Sequence, residues 1–262
     1  MDYFRLVYRL AGLLLIQLIS GLVGLVTVIA LSPFQNSRYA MMARVMQVWG
    51  KLCCWMMNIR IHQVGLVERS DHGALIVSNH VGIVDIFVSA ACFKMSFVSK
   101  SDVRKWPLIG YMTRIANTIY IDRTRRRELA GMVQAIADRL RSGYSVVVFP
   151  EGGATLGHRV ERFKSSAFEA VVQAESSVIP VMIRYYDAGE PSVACWPLGM
   201  PFIVNIKHLL MHPRLNVKVW VLPKVTGETD RRVFAEKSRS LISEKYQETT
   251  NLPAGNSAVT GE

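Results

Sequence analysis

Residues 74–93, ALIVSNHVGIVDIFVSAACF, change character twice. ALIVS is a continuous apolar run, the pattern of a short strand covered on both faces. The polar turn SNH follows, and the apolar stretch after it has the length of a helix rather than a second strand. Inside that stretch stand an imidazole, His80, and a carboxylate, Asp85, spaced H-x-x-x-x-D. On a regular helix this spacing separates two side chains by roughly 140°, so they would not share a face. They meet if His80 lies in the turn and Asp85 on the first turns of the helix. The carboxylate then takes a hydrogen bond from one ring nitrogen, and the other nitrogen is free to accept a proton from a hydroxyl.

Working outward, the same strand-then-helix alternation recurs. SFVS (96–99), TIYI (118–121), SVVVF (145–149), VIPVMI (178–183) and NVKVWVL (216–222) read as strands. Leu129, Met132, Val133, Ile136 and Leu140 form a helical stripe ended by Gly143. The pattern predicts an α/β sandwich with a mixed, mostly parallel sheet flanked by helices. In such folds ligands sit beyond the carboxyl ends of strands. His80, Asp122–Arg123 and Glu151 each fall just after a strand, at one common edge.

The loop VVVFPEGGATLGHRVERFK (146–164) supplies a second cluster. Pro150 ends a strand, and Glu151, Gly152 and Gly153 form a turn whose backbone N–H groups can approach an anion closely. Lys164 follows within reach, and Lys100, after the SFVS strand, is a further anion-binding candidate. In TIYIDRTRRRE (118–128), Arg123 is placed to clamp a phosphate, whereas Arg125–Arg127 read as a solvated helix start.

The N-terminal part is different in kind. LAGLLLIQLISGLVGLVTVIAL (10–31) contains no charged side chain and has the length a bilayer-spanning helix needs. A cleavable signal would have a shorter apolar region and a small-residue cleavage site, so an uncleaved anchor is expected. The flanking Arg5, Arg9, Arg38, Arg44 and Lys51 are nearly balanced, with a slight bias toward a cytoplasmic C-terminal side. In residues 39–60, Met42, Val45, Met46, Trp49, Leu52 and Trp55 recur at helical spacing, predicting an amphipathic helix at the membrane interface, with a helix of the domain core as the rival reading. Residues 1–57 are thus read as membrane-anchoring helices, 58–248 as the catalytic domain, and 249–262 as a disordered tail.

The formal net charge of +11 favours anionic partners. With the apolar N-terminus it points to membrane lipids rather than nucleic acid, for which no helix-turn-helix, zinc spacing or aromatic RNP-like run is present. Cys53, Cys54, Cys92 and Cys195 lack zinc spacing and read as reduced apolar filler, with no metal site. A serine esterase is disfavoured by the lack of a G-x-S-x-G elbow.

Taken in order, NHVGIVD (79–85), IYIDR (119–123), FPEGG (149–153) and VIPV (178–181) resemble the four blocks of the glycerolipid acyltransferase family typified by 1-acylglycerol-3-phosphate acyltransferase. The resemblance runs from about residue 58 to 225. It implies that His80 is general base on a lysolipid hydroxyl and Asp85 its orienter. The hydroxyl attacks the thioester of acyl-CoA or acyl carrier protein, with no covalent acyl-enzyme and no cofactor. It further implies that Arg123 binds the acceptor phosphate, that Glu151 and Gly152 belong to a substrate-binding loop, and that Pro180 lies in the fourth block. Lysophosphatidic acid is the acceptor expected by default. The location implied is a bacterial inner membrane, with the catalytic domain facing the cytoplasm. The third block departs from the usual F-P-E-G-T-R-S: Gly153, Ala154 and Thr155 replace Thr-Arg-Ser, removing an arginine. Asn117 also stands where a glycine is common. The longer run to Phe168 resembles a branch that includes lyso-ornithine lipid acyltransferases, making an aminolipid the alternative acceptor.

Overall fold

The computed structural model describes residues 2–68, 73–106, 109–121, 126–187, 191–197 and 199–250. Asp122 and Arg123 therefore lie outside the described residues, as does the tail from residue 251.

Among the described residues seven strands build one sheet: β1 (Ile59–Val64), β2 (Leu75–Ser78), β3 (Met95–Lys100), β4 (Ile119–Ile121), β5 (Ser145–Val148), β6 (Val178–Tyr185) and β7 (Leu215–Val221). Their spatial order is β1-β7-β6-β2-β5-β3-β4. Every pairing is parallel except β6 with β7, which is antiparallel. The predicted mixed, mostly parallel sheet is therefore present.

Helices cover both faces. They are α1 (Asp2–Ala30), α2 (Gln35–Met56), α3 (Val84–Cys92), α4 (Ile109–Ile115), α5 (Arg126–Arg141), α6 (Glu169–Gln173), α7 (Phe202–Met211) and α8 (Arg231–Thr250). Alternate strand residues point to opposite faces. Ile76, Val147, Ile179, Val181 and Ile183 pack with Val84, Val88 and Leu209 of α3 and α7. Leu75, Val77, Val146, Val148 and Met182 pack with Met132, Val133, Ile136, Phe234 and Ile242 of α5 and α8. Burial on both sides is why these strands are continuous apolar runs. The strand that sequence reading missed, β1, is an edge strand, with Arg60 exposed between buried Ile59 and half-buried Ile61. Its sequence IRIHQV alternates, so it lacks the continuous apolar signature of its neighbours.

The register brings two loops level. Val77 of β2 pairs with Val148 of β5 on one side and Pro180 of β6 on the other. His80 and Glu151, each three residues beyond a paired valine, consequently leave the sheet side by side.

α1 carries an exposed apolar face that includes Leu14, Leu18, Leu22 and Val26, and by length and composition it qualifies as a membrane-crossing helix. Its other face is fastened to the domain. Arg9 is 1% exposed, and its guanidinium donates to the carbonyls of Leu210 at 3.1 Å, His212 at 2.5 Å and Pro213 at 3.1 Å. Arg5 Nε donates to Met211 O at 3.0 Å. Arg5 and Arg9, one helical turn apart, thus satisfy the carbonyls that end α7, where the helix dipole is negative. They are docking groups rather than free flanking charges. Further along α1, Gln17 Oε1 accepts from Trp49 Nε1 of α2 at 2.9 Å, and Gly24 lies against Ile115 of α4.

α2 is a helix as expected, but its buried face is offset from the predicted stripe. Met42, Ala43, Gly50, Cys53 and Cys54 are buried, whereas Trp55 is 72% exposed and Leu52 is also exposed. Small side chains decide this: Gly50 lies against the backbone of Ala90 and Ala91 of α3, an approach that large residues would prevent. Trp49 bridges the two environments, half-buried with its ring edge-on to Phe87.

Candidate active site

The turn after β2 is tied down before any catalytic group is considered. Asn79 is buried and uses its side chain like an extra strand residue. Its Nδ2 donates to Ile183 O, and its Oδ1 accepts from Ile183 N, both at 2.9 Å. His80 is then clamped through its backbone. Its N–H donates to Glu151 Oε2 at 3.2 Å, and its carbonyl accepts from Thr155 N at 2.9 Å. Its ring stacks on Phe149, with centroids 4.2 Å apart.

Asp85 sits on the first turn of α3, where the helix N-terminus favours an anion, and is fully buried. Its Oδ2 takes His80 Nδ1 at 2.8 Å, Val81 N at 2.7 Å and Gly82 N at 3.1 Å, while its Oδ1 accepts from Tyr185 O–H at 2.7 Å. Both oxygens therefore act as acceptors, Oδ2 crowded by three partners and Oδ1 taking one. The carboxylate acts as acceptor throughout, so the facing nitrogen of His80 carries its hydrogen and Nε2 presents a lone pair. The His80 side chain is 18% exposed, enough for that ring edge to meet a ligand. A glycine is required at position 82, because a Cβ there would stand 2.1 Å from Ala194 O.

Glu151 turns inward from the loop after β5. It joins the His80 N–H to the Glu161 N–H, which reaches Oε1 at 3.2 Å. Burial raises its pKa to about 7; the two N–H groups oppose the rise, and the charges of Asp85 and Glu161 add to it. Gly152 adopts φ +88°, turning the loop so that its N–H donates to Phe149 O. Gly153 has open space where a side chain would stand. Beside this loop a crevice of about 250 Å³ is lined by Asn79, Val81, Gly157, Tyr185, Cys195 and Tyr246.

The other sequence-predicted residues are placed differently. Lys164 is exposed, with its N–H donating to Pro150 O, so the loop returns alongside its own start. Lys100, at the end of β3, pairs with Asp102 at 2.5 Å on an exposed surface. Pro180 is buried within β6, its carbonyl accepting from Leu222 N, upstream of the strand end that reaches the site. The fold therefore gathers His80, Asp85, Glu151 and Gly152 and sets Pro180 in the core. Burial pushes the thiols of Cys53 and Cys92 up to about 12, which removes them as nucleophiles.

Sequence reasoning missed Asn79 and Tyr185. Asn79 carried a local signal, an amide at the end of a buried strand. Tyr185 carried none, since it stands 100 residues from the aspartate it contacts.

This fold, with a histidine–aspartate pair at the end of a central strand, defines a class that comparison identifies. The family model described as Acyltransferase matches residues 58–184. A lyso-ornithine lipid O-acyltransferase of Brucella abortus is 30% identical over 82% of this chain and 87% of its own length. The chain belongs to the acyltransferase family. A 1-acyl-sn-glycerol-3-phosphate acyltransferase of Neisseria gonorrhoeae is 33% identical over 53% of this chain, and the match spans only 57% of that relative's length. The crystal structure of the 1-acyl-sn-glycerophosphate (LPA) acyltransferase, PlsC, from Thermotoga maritima shares the fold. Its TM-score is 0.64 at 18% identity, covering 94% of this chain and 99% of that one.

Proposed function

We propose that this chain is a membrane-bound O-acyltransferase that moves a fatty acyl group from a thioester donor, acyl-CoA or acyl carrier protein, to the free hydroxyl of a lysolipid. The observation that carries the reading is the His80–Asp85 pair, with Nδ1 committed to the carboxylate and the ring edge exposed. His80 Nε2 takes the hydroxyl proton as the oxygen bonds to the thioester carbonyl carbon. The C–S bond then breaks, and the imidazolium returns its proton to the leaving thiolate. Ester and free thiol are the products, and no side chain is acylated. Asp85 holds the ring and balances the transient imidazolium charge.

Lysophosphatidic acid is the first acceptor reading, with Arg123 of the IYIDR block as its phosphate partner. A lyso-ornithine lipid is the second, and two observations favour it. The four residues after Glu151 are Gly-Gly-Ala-Thr and include no cation, and the Brucella relative matches over far more of both chains than the Neisseria protein does.

α1 is proposed to anchor the enzyme in the membrane, with its exposed leucine face in lipid. Its other face is packed against the domain from Arg9 to Gly24, so anchor and domain are held together as one unit. We place the enzyme on a bacterial inner membrane, its catalytic domain on the cytoplasmic side where thioester donors are made.

The test is turnover by detergent-solubilised protein with labelled acyl-CoA and lysophosphatidic acid, lysophosphatidylcholine or lyso-ornithine lipid in parallel. His80→Ala is expected to lose about 10² to 10⁴-fold in kcat. Parent-level turnover by that variant would refute the mechanism, and the acceptor that reacts decides between the two readings.

A further inference from the structure

We propose that Tyr185 is a positioning residue of the site. It fixes Asp85 through Oδ1 and, by drawing charge from that carboxylate, sets the pH range in which His80 accepts a proton. The inference rests on the reading of His80 as general base.

The geometry divides Asp85 into two halves. Oδ2 serves the turn, with the N–H groups of Val81 and Gly82 and the His80 ring. Oδ1 accepts from the Tyr185 phenol at 2.7 Å. Tyr185 is the last residue of β6, an element rooted in the sheet, so the carboxylate is braced against a rigid strand. Burial first, and then the Asp85 charge, push the phenol well above its ordinary range. It therefore keeps its proton and acts on Asp85 only as a donor. A donor at Oδ1 withdraws charge from the oxygen that faces His80, so the pair binds a shared proton less tightly. Removing the donor makes the pair hold its proton at higher pH, wherever within the pair that proton sits.

Other groups face this pair from each neighbouring element. Glu151, with Glu161 behind it, comes from the loop after β5 and faces Asp85; Cys54 from α2 and Cys195 from the segment before α7 face Tyr185. His158, Arg184 and Asp187 share the crevice with Tyr185. Glu151, raised to about 7, changes charge close to the pair and has to be separated experimentally.

The experiment measures kcat/KM against pH for the parent, Tyr185→Phe, Glu151→Gln and the double variant. Tyr185→Phe is expected to move the acid limb upward by about half to one pH unit. The same displacement is expected in the Glu151→Gln background, with KM for the acceptor within about twofold and much of the lost rate recovered at alkaline pH. A purely structural role would lower the rate equally at every pH. If the limb stays in place while His80→Ala is inactive, Tyr185 is only packing and the inference fails. If His80→Ala is active, the base reading itself fails. Should Tyr185→Phe not fold, 3-fluorotyrosine at position 185, a stronger donor, is expected to move the limb downward; an unmoved limb overturns the proposal equally.

Discussion

Replacing Arg9 by methionine tests whether α1 is part of the domain or merely tethered to it. The guanidinium makes three hydrogen bonds to carbonyls at the end of α7 and is withdrawn from solvent. Each charge-assisted bond contributes roughly 1.5–3 kcal/mol, and the helix dipole contributes up to about 2 kcal/mol more. Against this stands the desolvation of a buried cation without a carboxylate partner, a penalty of several kcal/mol. Methionine keeps most of the apolar stem but leaves the carbonyls of Leu210, His212 and Pro213 without that donor. The difference comes to about 2–4 kcal/mol, and for a chain of this size each kcal/mol lowers Tm by about 2–4 °C. Thermal unfolding in detergent, followed by far-ultraviolet circular dichroism, should show a fall of about 5–15 °C. Arg9→Lys should fall in between, since it keeps the charge and loses the fork geometry. A methionine variant melting within about 2 °C of the parent would mean that Arg9 does not fasten α1 to α7 and is a simple flanking charge.

Asp85→Asn keeps the shape of the site and removes the charge opposite the imidazolium. At an effective dielectric near 20 and about 4 Å separation that charge is worth up to ~4 kcal/mol, so kcat should fall by roughly 10² to 10³-fold, read by initial rates. Glu151 predicts a pH dependence of stability. Below the ordinary carboxylate range both folded and unfolded chains hold its proton, and between that range and about 7 mainly the folded chain does. Its contribution is therefore greatest in acid and is lost as pH rises through about 7, so Tm should decline from pH ~5 to ~8. Glu151→Gln should flatten that decline in a thermal-shift series. Gly82→Ala places a methyl group 2.1 Å from Ala194 O, so the turn must move, and activity should drop at least about tenfold while secondary structure persists.

How much was legible depended on the range of the interaction. β2, β5 and β6 were readable because strands covered on both faces must be apolar at every position. β1 was not, since its edge position lets Arg60 alternate with isoleucines. The pairing of His80 with Asp85 was readable because turn and helix start are neighbours in the chain. The face α2 turns to the domain was not legible: hydrophobicity ranks Trp55 above Gly50, but close packing against Ala90 and Ala91 selects the smaller residue and leaves Trp55 exposed.

The sequence alone determined the alternation of strands and helices, the placement of His80 and Glu151 just beyond strands, and the apolar character of α1. These follow from local periodicity and from backbone rules that act over a few residues. Tertiary structure alone decided that Arg9 caps α7, that Glu151 fastens the His80 turn and that Tyr185 closes the free oxygen of Asp85. Each of those contacts joins segments between 71 and 204 residues apart along the chain. The sheet order brings such segments together, and no local pattern in the chain encodes which of them will meet.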